Sequence, residues 1–200
     1  MNTTNLIVEF LVIGIQVAVW ISLLILTFTG TNWLEFGKVK EFSTIIVGLL
    51  IAISYPIGVF VDNFADRILK KKDKKIRNEF IKDENKSILR VRTLAGENSP
   101  LDQLFNYQRM RIRISRSSFL NFLIISLMLP IFFIIQLPKY FGSNLVWVCL
   151  LTSAIGIGFT YLAYWTWKDV SKRYYRRYPE AEELLKERGL LKVSKDKSEK

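Results

Sequence analysis

The chain has 200 residues, half of them apolar, with 29 Lys and Arg against 18 Asp and Glu and no His. Those averages suit a soluble domain, but the apolar residues are gathered into four long runs separated by nearly continuous charge, which excludes that class. Without His the commonest general base and metal ligand are missing, and a single Cys supplies neither a disulfide nor a zinc set, so no catalytic residue, metal or cofactor is expected.

The first run, Leu6–Phe28, is about the ~20 residues a helix needs to cross a bilayer. It lacks a positively charged start and a small-residue cleavage site, so it reads as a span and not as a signal peptide. Glu9 and Gln16, with Asn5 and Trp20, fall on one helical face. An ionisable group inside an apolar run is costly to expose to lipid, so this face should turn toward protein or water. Gly14, Ala18 and Ser22 form a small-residue stripe roughly opposite, the kind of surface that lets a second helix come close. Two lipid-averse faces on one helix are easier to satisfy against a neighbouring subunit, so self-association is expected. The plainer alternative is that Glu9 reaches the interface beside an Arg.

The second run, Phe42–Val61, carries Gly48 and Ala52 and then Tyr55-Pro56 and Gly58. Proline removes a helical hydrogen bond, which predicts either a static kink or a hinge. Beyond Val61 the helix can continue: Leu69, Ile76, Phe80, Val91 and Leu94 fall near one face, while Lys70, Lys71, Lys72, Lys74, Lys75 and Arg77 crowd the rest. Ala95–Asn98 breaks it, and Ser99-Pro100-Leu101-Asp102 has the cap, the first-turn proline and the acid of a new helix start. That helix runs through Arg109, Arg111, Arg113 and Arg116 into the third run, giving a helical hairpin whose longer first arm must turn, with Asp83-Glu84-Asn85 its most polar point. Phe105 and Tyr107 are expected to pack inside the hairpin.

The third run, Phe119–Leu137, holds Asn121, Ser126 and Gln136, and Pro130 predicts a bend. The fourth, Leu145–Trp167, has a close-packing pattern in Thr152, Gly156 and Thr160 and again in Ala154 and Gly158, and its Cys149 reads as an inert apolar thiol. Gly156 and Gly158 form a GxG, but mid-span they cannot open a phosphate-binding helix, and no Walker, GxSxG or HExxH motif occurs. Tyr161, Tyr164, Trp165 and Trp167 read as an aromatic belt, with Trp33 and Trp147 at the opposite interface. In the tail, Lys172, Arg173, Arg176 and Arg177 sit among Tyr174, Tyr175 and Tyr178. A short helix is expected from Pro179 to about Arg188, ended by Gly189, with a charged, disordered end after Val193.

Of the 29 basic residues, 15 lie in 62–118 and 11 follow Trp167; only Lys38, Lys40 and Lys139 lie in the short connections. The positive-inside rule then places both termini and the middle segment in the cytoplasm of a multi-pass inner-membrane protein. The expected fold is all-α: spans 1 and 2 in 1–61, a basic cytoplasmic helical hairpin in 62–118, spans 3 and 4 in 119–167, and a basic tail in 168–200. Lys70, Lys71, Lys72, Lys74, Lys75, Arg109, Arg113 and Arg116 are the candidate contacts to anionic headgroups, to an acidic cytoplasmic protein or, least favoured, to nucleic acid. Four spans without an internal repeat offer little of a transporter's midplane site. Glu9, Asp62 and Arg113 form the one plausible polar cluster for an embedded enzyme, a class the missing His disfavours.

In size, span count and basic hairpin the chain resembles the small multi-span membrane proteins encoded beside prokaryotic antiviral defence systems, retron-type and RNA-targeting CRISPR loci among them. The resemblance is one of architecture. It implies a non-enzymatic, oligomeric effector that perturbs or permeabilises the inner membrane when a cytoplasmic partner engages the hairpin. The residues alone leave open a passive anchor or scaffold that recruits such a partner.

Overall fold

The computed structural model describes residues 3–30, 43–81 and 99–187. Apart from the terminal Gly30 and Ile81 and the joint at Leu137, every described residue is helical: α1 (Thr3–Thr29), α2 (Ser43–Phe80), α3 (Ser99–Gln136), a short α4 (Pro138–Phe141), a 3-10 turn (Gly142–Asn144) and α5 (Leu145–Glu187). Four of these helices are long and apolar enough to cross a membrane. Gly30 ends α1 in the left-handed region at φ 75°, donating its N–H to the Leu26 carbonyl, a conformation glycine adopts without steric cost. Pro138 opens α4, where its missing N–H costs nothing, and Gly142 at φ 50° makes the turn into α5.

Helix length sets the shape. At ~1.5 Å per residue, α2 and α3 are about 57 Å long and α5 about 65 Å, roughly twice a ~30 Å hydrocarbon core. Their apolar halves form the candidate spans and their polar halves continue together past them as a stalk. The stalk has its own core: Ile81, Phe105, Tyr174, Tyr178 and Ala181 cluster at its tip, and Leu69, Ile76 and Trp167 lower down. Phe105 stacks edge-on against Tyr174, whose hydroxyl shares a 2.7 Å hydrogen bond with that of Tyr178, and Tyr175 donates to Asp73 across helices at 2.7 Å.

Within the spans the order is a row. α1 packs between α2 and α3, α3 packs between α1 and α5, and α5 meets α2 in the stalk but does not touch α1. Contacts near both ends of α1 fix its direction: Glu9 lies against Arg113, and Thr27 against Gln136. The start of α1, the stalk and the end of α5 therefore share one end of the molecule. In the most apolar stretch of the fourth span only 6% of the residues are buried, and Val146, Leu150, Leu151, Ile155, Ile157 and Leu162 each keep half or more of their surface for an apolar solvent.

Several expectations meet a different structure. Pro179 does not start a separate helix. α5 runs through it unbroken, because Tyr174, Tyr178 and Ala181 on either side are anchored in the stalk core. Residues 168–187 thus continue the helix of the fourth span. Trp167 is not a belt residue: it is 1% exposed and packs under Leu69 and Ile76, whereas Tyr161, Trp165 and Trp147 do face outward. Tyr107 is exposed and not packed in the hairpin; Arg111 stacks over its ring at 5.8 Å. α2 and α3 remain helical through Pro56 and Pro130. The expected turn at Asp83-Glu84-Asn85, the break at Ala95–Asn98, Trp33, Val91, Leu94 and everything after Glu187 lie outside the described residues.

Candidate functional site

Where α1, α2 and α3 leave the apolar zone, five charged side chains converge. Asp62, in the first turn past the apolar run of α2, is buried and accepts from Arg116 Nη2 at 2.7 Å and from Ser117 Oγ at 3.2 Å. Arg116 also bonds Asp66, one turn further along α2. Arg113 donates from Nη1 to Glu9 Oε1 at 3.4 Å, and its Nε lies 3.9 Å from Asp62 Oδ2. Three carboxylates and two guanidinia thus tie three helices together, and Arg109, one turn up α3, adds its positive charge to the field at Glu9.

Glu9 is 0% exposed, and its Oε2 accepts no hydrogen bond from any described residue. A carboxylate removed from water costs several kcal/mol unless paired. Arg113 offsets that cost through a long contact to one oxygen, so the pair is matched incompletely. The sequence places it there for a simple reason. Phe10 and Ile13 beside Glu9 are core residues, and the Arg113 guanidinium stacks 6.0 Å over the Phe10 ring.

That crossing is made by glycine. A Cβ on Gly14 would overlap the Ser54 carbonyl of α2, and one on Gly58 would overlap the Phe10 carbonyl of α1. The opposite face of α1 carries a polar seam into the apolar zone. Gln16 Oε1 accepts from Ser118 Oγ and Asn121 Nδ2, each at 3.1 Å. Asn121 is 0% exposed and accepts from Trp20 Nε1 at 3.3 Å; at the far end Gln136 Nε2 donates to the Thr27 carbonyl at 2.7 Å.

Glu9 and Gln16 therefore lie on one buried face, directed at α3 of the same chain. Gly14 faces α2 of the same chain, Ala18 is half-buried and Ser22 is exposed. The Glu9–Gln16 face and the Gly14 end of the small-residue stripe are met inside one copy, which weakens the reasoning that led from them to a second subunit, while Ser22 at the other end of the stripe stays exposed. Gly156 sits against Ser126, where an added Cβ would come within 2.5 Å of the serine side chain, but Gly158 faces open space and does not share that contact. Of the basic candidates, Arg113 and Arg116 are turned inward, 19% and 12% exposed, and their charge is taken up by Glu9, Asp62 and Asp66 instead of an outside partner. Arg109 is half-buried nearby, Lys72 lies 4.7 Å over the Tyr164 ring, and Lys70, Lys71, Lys74 and Lys75 stay on the surface.

Sequence reasoning brought together Glu9, Asp62 and Arg113 but missed Asp66, Ser117 and the inward role of Arg116. The signal was present: Asp62 and Asp66 are four apart just past one span, Arg113 and Arg116 are three apart just before the next, and oppositely charged pairs at similar distances from two spans face each other. Gln16 and Asn121 were each noted, but nothing local says that they meet.

The geometry offers a locked polar joint and, among the described residues, no group of metal ligands. No protein-family model, no curated protein and no solved structure matches the chain.

Proposed function

We propose that the chain is a non-enzymatic, multi-pass protein of the inner membrane whose stalk stands in the cytoplasm and holds a cytoplasmic partner at the bilayer. The observation that carries this is continuity. α2, α3 and α5 pass unbroken from apolar span to basic stalk and pack on a stalk core of their own, which makes a rigid pedestal. The orientation rests on the excess of Lys and Arg at that end. The joint of Glu9, Asp62, Asp66, Arg113 and Arg116 fixes the pedestal to the first span at the height where the bilayer begins. An anchor of this kind leaves the membrane potential unchanged when overexpressed. Depolarisation of a voltage-sensitive dye on induction would overturn it.

One observation favours a second reading, the membrane-perturbing effector that the antiviral resemblance implies. Glu9 is buried with one oxygen unpartnered, so loosening α1 from α3 would expose a charge to water inside the span. Such an effector would self-associate through outward small-residue positions such as Gly48 and Gly158, which have no close neighbour among the described residues. Under this reading induction depolarises the membrane and Glu9→Gln changes the leak without changing expression. Both readings place the partner on the stalk.

A further inference from the structure

The stalk half of α2 divides its charges by sign. Every acid on it points sideways into another helix: Asp62 and Asp66 engage Arg116, Asp73 accepts from Tyr175, and Glu79 lies 3.9 Å from Lys172. The basic residues do the opposite. Arg67, Lys70, Lys71, Lys74 and Lys75 share, at 3.6 residues per turn, an arc of roughly 140° centred opposite the buried Leu69 and Ile76. All five are exposed, and among the described residues Arg67, Lys70, Lys71 and Lys75 form no ion pair. A surface whose own acids are all committed elsewhere is left with a one-signed field, which raises the local concentration of an anionic partner and speeds its arrival.

Height and chemistry select among anions. With the bilayer edge at Asp62, as the proposed function has it, Lys70, Lys71 and Lys75 stand roughly 12–20 Å further along the helix, while the headgroup layer is only ~5–8 Å deep. Lipid phosphates can meet Arg67 but not the upper stripe. Single-stranded nucleic acid would call for aromatic platforms between the charges, and 67–78 contains none. We infer that the lysine stripe of α2 is a docking surface for an Asp/Glu-rich segment of a cytoplasmic protein. The inference rests on the stalk being the partner-binding part, but binding in vitro reads the stripe without depending on which side of the membrane it faces.

The test uses the full chain in phosphatidylcholine nanodiscs, with a short fluorescein-labelled oligoglutamate peptide as probe and anisotropy as readout. Lys70→Gln/Lys71→Gln/Lys75→Gln is compared with Lys168→Gln/Arg173→Gln/Arg176→Gln, which removes equal charge from the surface of α5. Loss of affinity on the order of tenfold in the first variant, near-native affinity in the second, and steep weakening with salt are expected. Equal loss in both variants would reduce the stripe to unspecific attraction and overturn the proposal. So would tighter binding of a single-stranded oligonucleotide with the same residue dependence, or peptide binding that appears only when phosphatidylglycerol is added. A topology with the stalk outside would overturn the proposed function while leaving this affinity pattern intact.

Discussion

The side chain on which most depends is Glu9. It is wholly buried, one of its oxygens is unpartnered, and its nearest cation is 3.4 Å away. Removing either partner should therefore have unequal effects. Arg113→Gln strands Glu9 and weakens the hold on Asp62, and should lower stability by roughly 3 kcal/mol. Glu9→Gln removes a charge that is only partly matched, keeps the shape, and should cost about 1 kcal/mol or less. The double variant should be more stable than Arg113→Gln alone. Unfolding in mixed micelles measures all three, and additive losses would show that the two side chains do not act on each other. The sequence made Glu9 legible because a lone acid in an apolar run is rare. It left Arg116 misplaced, because an arginine at a span end reads as surface until the opposing aspartates are known to face it.

Among elements, the close crossings separate glycines that look alike in sequence. Gly14 meets the Ser54 carbonyl and Gly156 meets Ser126, while Gly158 meets nothing. Gly14→Leu and Gly156→Leu should each destabilise the fold by about 1–3 kcal/mol or more through forced separation of helices. Gly158→Leu should stay within about 0.5 kcal/mol. Thermal unfolding in detergent checks this, and equal sensitivity at Gly156 and Gly158 would contradict the packing. At 3.6 residues per turn the two glycines lie about 200° apart, on nearly opposite faces, but the period could not say which face had a partner. The same limit explains Trp167: aromatic residues at a span end suit a lipid interface or a protein core equally well by composition. The choice was made by Leu69 and Ile76, about a hundred residues away in sequence. In the stalk, Phe105→Ala should cost about 3–5 kcal/mol. Its loss should raise amide exchange around Tyr174 and Tyr178 before the spans respond; exchange that rises uniformly would mean that the stalk has no separate core.

For the whole molecule, four long helices were legible because apolar runs of span length are hard to mistake. That the residues from Ser99 onward are helical was legible because Ser99, Pro100 and Asp102 together favour a helix there. The row-like order of the spans, with α5 apart from α1, was not, since which helix packs on which depends on pairings such as Gln16 with Asn121 that leave no local trace. The continuity of α5 through Pro179 was hidden for a related reason: packing of Tyr174, Tyr178 and Ala181 outweighs the intrinsic preference of one proline to interrupt a helix. What joins these features into one account is the direction of the stalk. Under the proposed function, the positive-inside rule applied to the charge asymmetry turns the stalk to the cytoplasm, and the proposed partner is sought on that side. The most direct test is a set of dual topology reporters, one whose activity requires the cytoplasm and one that requires export. They are fused after Asn98 and after Lys200 in the stalk-end segments, and after Thr31 and Ser143 in the short connections. The account predicts cytoplasmic activity for the first two and exported activity for the last two. Exported activity at Asn98 would contradict it.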